Sequence, residues 1–191
     1  MRVLIGCEYS GRVRRAFAER GHEVYSCDLL PADDGETKYH YQGDIRDILY
    51  DDWDLMIAFP PCTHLAVSGA RWFKDKVQEQ QEALEFVRML MDAPIPKIAI
   101  ENPVSVISSR IRKPDQIIQP WWFGDPVQKS TCLWLKGLPL LTKTNDVYKE
   151  MMELPRKERE KIWYASPGPD RWKIRSTTFP GFASAMAEQW G

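Results

Sequence analysis

Two short segments carry residues suited to covalent chemistry. In Pro60-Pro61-Cys62 a cysteine lies just past the apolar run from Asp54 to Phe59, on a turn stiffened by two prolines. A thiolate held this way is a rigidly presented nucleophile, although a lone cysteine also serves as a small packing residue. Glu101-Asn102-Pro103 directly follows the apolar run Lys97 to Ile100. A carboxyl shielded at a strand end has its pKa raised and can act as an acid. The competing role is helix capping, since Asn102 before Pro103 makes a capping pattern. His64 lies too close to Cys62 along one turn to face it, and no third orienting group is identifiable. A Cys/His hydrolase pair is therefore set aside.

The elements that must position these residues form a regular series. Met1 to Ile5 reads as a strand, followed by a turn at Ser10-Gly11 and a helix to Arg20, with Gly21 at its carboxyl end. His22 to Cys27 reads as a second strand ending at Asp28. Further strands are predicted over Asp54 to Phe59 and Lys97 to Ile100, separated by an amphipathic helix from about Lys74 to Asp92 that Pro94 stops. Gln116 to Gln119 and Thr131 to Leu135 are expected strands around a Trp121-Trp122-Phe123-Gly124 loop. Residues 146–163 read as a charged helix, 165–180 as a Pro/Gly/Arg-rich loop, and Ala183 to Trp190 as a terminal helix. This order predicts an α/β fold with a doubly wound, mostly parallel Rossmann-like sheet and a very small C-terminal appendage.

In such sheets ligands bind at the carboxyl ends of the strands. The loop Gly6 to Gly11 (GCEYSG), with Gly6, Glu8, Ser10 and Gly11, lets a cofactor approach the backbone, although it lacks the full GxGxxG pattern. Asp28 sits where an acidic residue takes ribose hydroxyls. Together with Cys62 and Glu101, these successive strand ends point to one site. Gly43-Asp44-Ile45-Arg46 falls in an acidic stretch that also reads as solvated surface.

Composition narrows the class. The chain has 191 residues, 43% hydrophobic and 28% charged, with a formal net charge of −1. These values suit a globular domain and argue against disorder. No apolar stretch is long enough to cross a bilayer, and MRVLIGCEYSGR reads as an opening strand rather than a signal peptide. The four cysteines form no CxxC pair, so a reduced cytoplasmic setting is expected, with no metal site. Residues 1–104 carry 12 basic and 18 acidic side chains, and residues 105–191 carry 14 and 9. The basic second half suits a phosphate-bearing partner, or is an unevenly charged solvated surface.

The constellation resembles the cytosine-C5 DNA methyltransferase family. The matching segments, in order, are Ser10-Gly11, Asp28, GDIRDI at 43–48, DLMIAFPPCTHLAVSG at 54–69 and IENP at 100–103. PVQKSTCLWL around Gln128 and the closing RSTTFPGFASAMAEQW are further, looser matches. The resemblance implies the Rossmann-like fold of S-adenosylmethionine-dependent methyltransferases, and methyl transfer to cytosine in DNA through a Cys62 adduct. It implies Glu101, with Asn102, as the group that stabilises the adduct at ring N3. Gly6, Glu8, Ser10, Gly11, Asp28, Asp44, Ile45 and Pro60 would hold S-adenosylmethionine. Pro61, Gln128 and Arg175 would contact the substrate, and Arg71 the target phosphate or the ring carbonyl, unless it forms a surface salt bridge. The implied division is a catalytic region 1–141, a minimal recognition insert 142–170 and a closing segment 171–191.

The chain also departs from the family pattern. Its first loop is GCEYSG rather than Phe-x-Gly-x-Gly-Gly, Pro103 replaces a valine, and Lys129-Ser130-Thr131 stand where arginines are expected. Phe182 replaces the asparagine of the closing motif. Residues 142–170 are too few for a domain that reads several base pairs by direct contact. Three readings follow: a DNA methyltransferase of relaxed sequence preference, an enzyme acting on a cytidine nucleotide or single strand, and a subunit that needs a protein partner. For the second, Trp121-Trp122-Phe123 is a candidate stacking platform, its alternative being a loop packed on the core. A compact enzyme of this kind suits the cytoplasm of a bacterial or phage-infected cell.

Overall fold

The computed structural model describes residues 1–169 and 171–191. Seven strands form one sheet in the order β3-β2-β1-β4-β5-β7-β6. They are β1 (Arg2–Gly6), β2 (Glu23–Asp28), β3 (His40–Gln42), β4 (Leu55–Ala58), β5 (Lys97–Pro103), β6 (Gln116–Ile118) and β7 (Thr131–Lys136). The first five are mutually parallel. β7 runs antiparallel to both β5 and β6, because a connection of only twelve residues returns the chain beside β6 as a hairpin does. Parallel strands with crossover helices and a reversed β7 give a Rossmann-like, mostly parallel α/β architecture, as expected from the sequence.

The near-continuous apolar runs of the central strands reflect burial on both faces. Val3, Ile5, Leu55, Ile57 and Ala99 point to one side, where α1 (Arg12–Ala18) and α7 (Pro180–Trp190) cover them with Val13, Phe17, Phe182, Met186 and Trp190. Leu4, Met56, Ala58, Ile98 and Ile100 point to the other, under Leu84, Val87 and Leu90 of α2 (Val77–Met91). The last helix therefore returns to pack beside the first, and Trp190 Nε1 donates to the Pro139 carbonyl at 3.0 Å.

Several elements differ from expectation. β3 and α3 (Ile107–Arg110) are too short to leave a periodic signal. The helix expected from Lys74 is preceded by a 3-10 stretch, Val67–Asp75. The single helix expected over 146–163 is two, α4 (Tyr148–Glu153) and α5 (Arg156–Arg159), because Pro155 cannot continue the first. The expected loop 165–180 contains α6 (Arg171–Ser176). Trp121 and Trp122 are half-buried rather than a free platform. The Trp122 carbonyl accepts from the Thr144 and Asn145 amides, that of Trp121 accepts from Val147, and the Trp121 ring lies 4.9 Å from that of Tyr148.

Phe17 is fully buried between α1, α7 and the sheet. Phe17→Ala is expected to cost about 3–5 kcal/mol of stability. Urea unfolding followed by circular dichroism checks this, and a loss below about 1 kcal/mol would show that the α1–α7 contact contributes little.

Candidate active site at the carboxyl ends of β4 and β5

Cys62 and Glu101 leave adjacent strands at the same edge of the sheet, since β4 pairs with β5 in parallel register through Ala58 and Ile100. The two loops that follow are then bound to each other. Asn102 Nδ2 donates to the Pro60 carbonyl at 2.9 Å, within a residue pair that is buried on both sides. Beyond the cysteine, the Val67 amide donates to the Val104 carbonyl and the Val106 amide to the Leu65 carbonyl, around a bridge between Ala66 and Ser105. The Cys62 carbonyl itself accepts from the Leu65 and Ala66 amides, closing a turn that fixes the thiol's position.

The electrostatics of this pair set its protonation. Burial pushes the Cys62 thiol above its ordinary pKa, and the Glu101 carboxylate pushes it further, while Lys129 and Arg175 draw it down. At neutral pH Cys62 is thus a thiol in the free protein. Burial likewise raises the Glu101 pKa, opposed by Lys129. Glu101 is consequently disposed to hold a proton, as an acid at this position needs.

Lys129 is the residue that sequence reasoning passed over in favour of its neighbour. Gln128 is exposed, and its amide donates to the Arg159 carbonyl at 2.7 Å. Lys129 is half-buried and shares a small cavity with Glu101, Thr131 and Phe179. Its Nζ donates to the Arg175 carbonyl at 3.2 Å and lies 6.0 Å from the centre of the Phe179 ring. Gln119 Oε1 accepts from the Lys129 amide and fixes the backbone. No strand periodicity marks it, since Lys129 lies outside β7, two residues before Thr131. Arg175 acts on Cys62 from α6, so the closing segment and the nucleophile loop meet. Pro61 and Arg71 are exposed on the Cys62 side, Arg71 within the 3-10 stretch.

The residues expected to hold a cofactor gather around the end of β1, but several have partners within the chain. The Glu8 carboxylate is buried and accepts from the Val13 and Arg14 amides and from Ser10 Oγ, so it caps α1. A Cβ at Gly6 would meet the Ile45 side chain, which packs over it. Gly11 has φ 67°, and a Cβ there would meet Asp34, Arg14 and Arg15. These two glycines are accounted for by internal packing and by a left-handed backbone. Asp28 is half-buried at the end of β2, its pKa raised by burial, with one oxygen accepting from the Leu30 amide. The Leu29 amide also acts on this carboxylate, whose remaining acceptor positions are what a ribose hydroxyl would use. Asp44 caps the short turn Ile45–Asp47 and pairs with Arg46 at 2.7 Å, holding its carboxyl below the usual range. Cys7, with φ 57°, lies between these acids, and burial together with Asp28 raises its pKa. The donor set thus fits an adenosine cofactor at Asp28, while Asp44 already has a cation on it.

No family model matches the chain, and no curated protein matches it. Among solved structures 62 chains match. One is a crystal structure described as a candidate DNA modification methyltransferase encoded within a prophage of E. coli. It is 14% identical, with a TM-score of 0.48, over 83% of this chain and 49% of the other. The chain therefore spans about half the length of that structure. Among the described residues no helix is long and apolar enough to cross a membrane, and no group of three or more His, Cys, Asp or Glu side chains could hold a metal ion.

The electrostatic pairing gives two opposed expectations. Lys129→Met should move the pH midpoint of Cys62 alkylation by iodoacetamide upward, because a cation that favours the thiolate is lost. Glu101→Gln should move it downward, because a neighbouring negative charge is lost. Peptide mass spectrometry of the Cys62 peptide across pH reads both shifts; midpoints that coincide with wild type in both variants would refute the coupling.

Proposed function

We propose that the protein is a S-adenosylmethionine-dependent methyltransferase that methylates carbon 5 of cytosine in DNA through a covalent bond between Cys62 and carbon 6. The observation that carries this reading is the pairing of Cys62 with a half-buried Glu101, whose pKa burial raises, on two loops bonded together at one sheet edge. The chemistry requires that pairing, because carbon 5 of cytosine is a poor nucleophile until something adds to carbon 6.

Cys62 supplies the addition. The thiol loses its proton to water and its sulfur bonds to carbon 6, while the electron pair of the C5–C6 double bond moves toward N3, where Glu101 donates a proton. Lys129 and Arg175 favour the thiolate as Cys62 ionises. Asn102 keeps the two loops at fixed separation through its bond to Pro60, which holds sulfur and carboxyl on one ring. Bound S-adenosylmethionine supplies an electrophilic methyl group for the activated carbon 5. Asp28 is the residue that holds its ribose, next to the loop from Gly6 to Gly11 and the Ile45 side chain. After transfer, water takes the carbon 5 proton, the bond from carbon 6 to sulfur breaks as the C5–C6 double bond reforms, and N3 returns its proton to Glu101. Arg71, Pro61 and Arg175 line the approach of the substrate strand, and Gln128 stands further out.

Nucleoside mass spectrometry after incubation with S-adenosylmethionine and DNA tests the reading. The wild type is expected to form 5-methylcytosine, Cys62→Ser none, and Glu101→Gln about 10²- to 10⁴-fold less per unit time. Cofactor binding by calorimetry should survive in Cys62→Ser. Full activity in that variant would end the covalent mechanism, and a product methylated at an exocyclic nitrogen would replace cytosine C5 as the target.

A further inference from the structure

On the face of the C-terminal region beside α1, large aromatic and aliphatic side chains stand in solvent among cations. Trp163 is 64% exposed, Trp172 47% and Ile174 52%. Ile174 lines a cleft of about 480 Å³, within the range of about 300–1,000 Å³ common for ligand sites, and Trp163 and Trp172 are the chain neighbours of its lining residues Ile162 and Lys173. Four cations line it: Arg12, Arg15, Lys161 and Lys173. Two acids also line it: Asp34 is already occupied by Arg14 and Arg15, which limits its repulsion of an anion, and Asp33 leaves the lining at four cations against two acids. Among the described residues neither Lys161 nor Lys173 forms an ion pair within 4.0 Å, in contrast to the paired Arg46, Arg112 and Arg156. Trp172 is braced by the Tyr9 ring at 5.5 Å, and Lys173 Nζ lies 5.7 Å from its centre.

The cleft is not the expected cofactor pocket, since of those residues only Ser10 lines it, and Asp28 and Asp44 do not. It does adjoin the reacting groups. Phe179 lines both the cleft and the small cavity that holds Glu101 and Lys129. Arg12 donates to the Thr178 carbonyl at 2.9 Å, fixing the wall between them.

We infer that the cleft and its rim of Trp163, Trp172, Lys161 and Lys173 form a docking track for single-stranded nucleic acid, leading an unpaired base toward Cys62. The inference rests on the cytosine reading above for its direction, but not for the binding itself. Cations spaced along a cleft meet successive phosphates, and exposed indoles stack on base faces that only an unpaired strand presents. A duplex covers those faces, so it has no use for Trp163 and Trp172. The track also answers how so short a region 142–170 can serve: an enzyme of unpaired cytosine needs neither base flipping nor a groove-reading domain.

The test uses the full chain and a fifteen-residue oligothymidylate, which has no cytosine and so reads docking apart from methyl transfer. Fluorescence anisotropy should give an affinity at least tenfold higher for this strand than for the corresponding A·T duplex. Trp163→Ala and Trp172→Ala should each weaken strand binding roughly 5- to 100-fold, and Trp172→Phe should restore most of the loss. Lys161→Ala and Lys173→Ala should each flatten the log–log salt dependence by about 0.7. Equal or tighter duplex binding overturns the inference, as do aromatic variants that bind like wild type while keeping native circular dichroism. Strand binding that persists without any 5-methylcytosine in cytosine-containing oligonucleotides supports the track and removes the methyl-transfer reading alone.

Discussion

The bond from Asn102 Nδ2 to the Pro60 carbonyl holds the candidate site together. Each loop alone is a strand end with a polar residue on it, free to take many paths. Buried backbone carbonyls must be paired, and Pro60 finds its partner only in the side chain that follows Glu101. Satisfying that requirement fixes the separation of sulfur and carboxyl. The main-chain contacts of Val67 with Val104 and of Val106 with Leu65 extend the same stitch outward, so the two loops behave as one unit.

Around this unit the charges are balanced rather than maximised. Burial resists ionisation of both Cys62 and Glu101, and the Glu101 carboxylate further resists the Cys62 thiolate. Lys129 and Arg175 set the limit of that resistance. Both are brought in from late in the chain, and Lys129 is anchored on the Arg175 carbonyl. The last third of the chain therefore closes the core through α7 and also carries the cations that tune the reacting pair. An acid disposed to hold its proton beside a thiol is the arrangement that the proposed addition to carbon 6 would use.

The β2–β3 side of the sheet is held by a separate polar network. Arg14 is buried, pairs with Asp34, and donates to Ser26 Oγ; Ser26 and His40 Nδ1 lie 2.8 Å apart, and His40 Nε2 sits 2.9 Å from the Leu30 carbonyl. This chain of bonds fixes the loop after β2 against α1 and so sets where Asp28 ends. It also explains why Gly11 must be glycine, since the Arg14–Asp34 pair lies directly over it. Glu8 does comparable work from inside, capping α1 with a carboxylate. The first loop is shaped by these contacts within the chain, and Asp28 is the member of that loop cluster with an acceptor to spare.

The sequence by itself determined the central strands of the sheet and which polar residues stand at their ends. Continuous apolar runs such as Val3 to Ile5 and Leu55 to Ala58, each ending at glycine or proline, specify buried parallel strands, because only strands covered on both faces read that way. Cys62, Glu101 and Asp28 were legible because strand ends are where such sheets expose polar groups. The tertiary structure alone decided what is not periodic. Whether Glu8 faces a ligand or caps a helix, whether Trp121 and Trp122 stack a base or pack against Tyr148, and whether Gln128 or Lys129 reaches Glu101 depend on contacts between residues far apart in the chain. Local pattern carries a strand's direction and its buried face, but a side chain's partner is fixed only when the sheet brings distant loops to one edge.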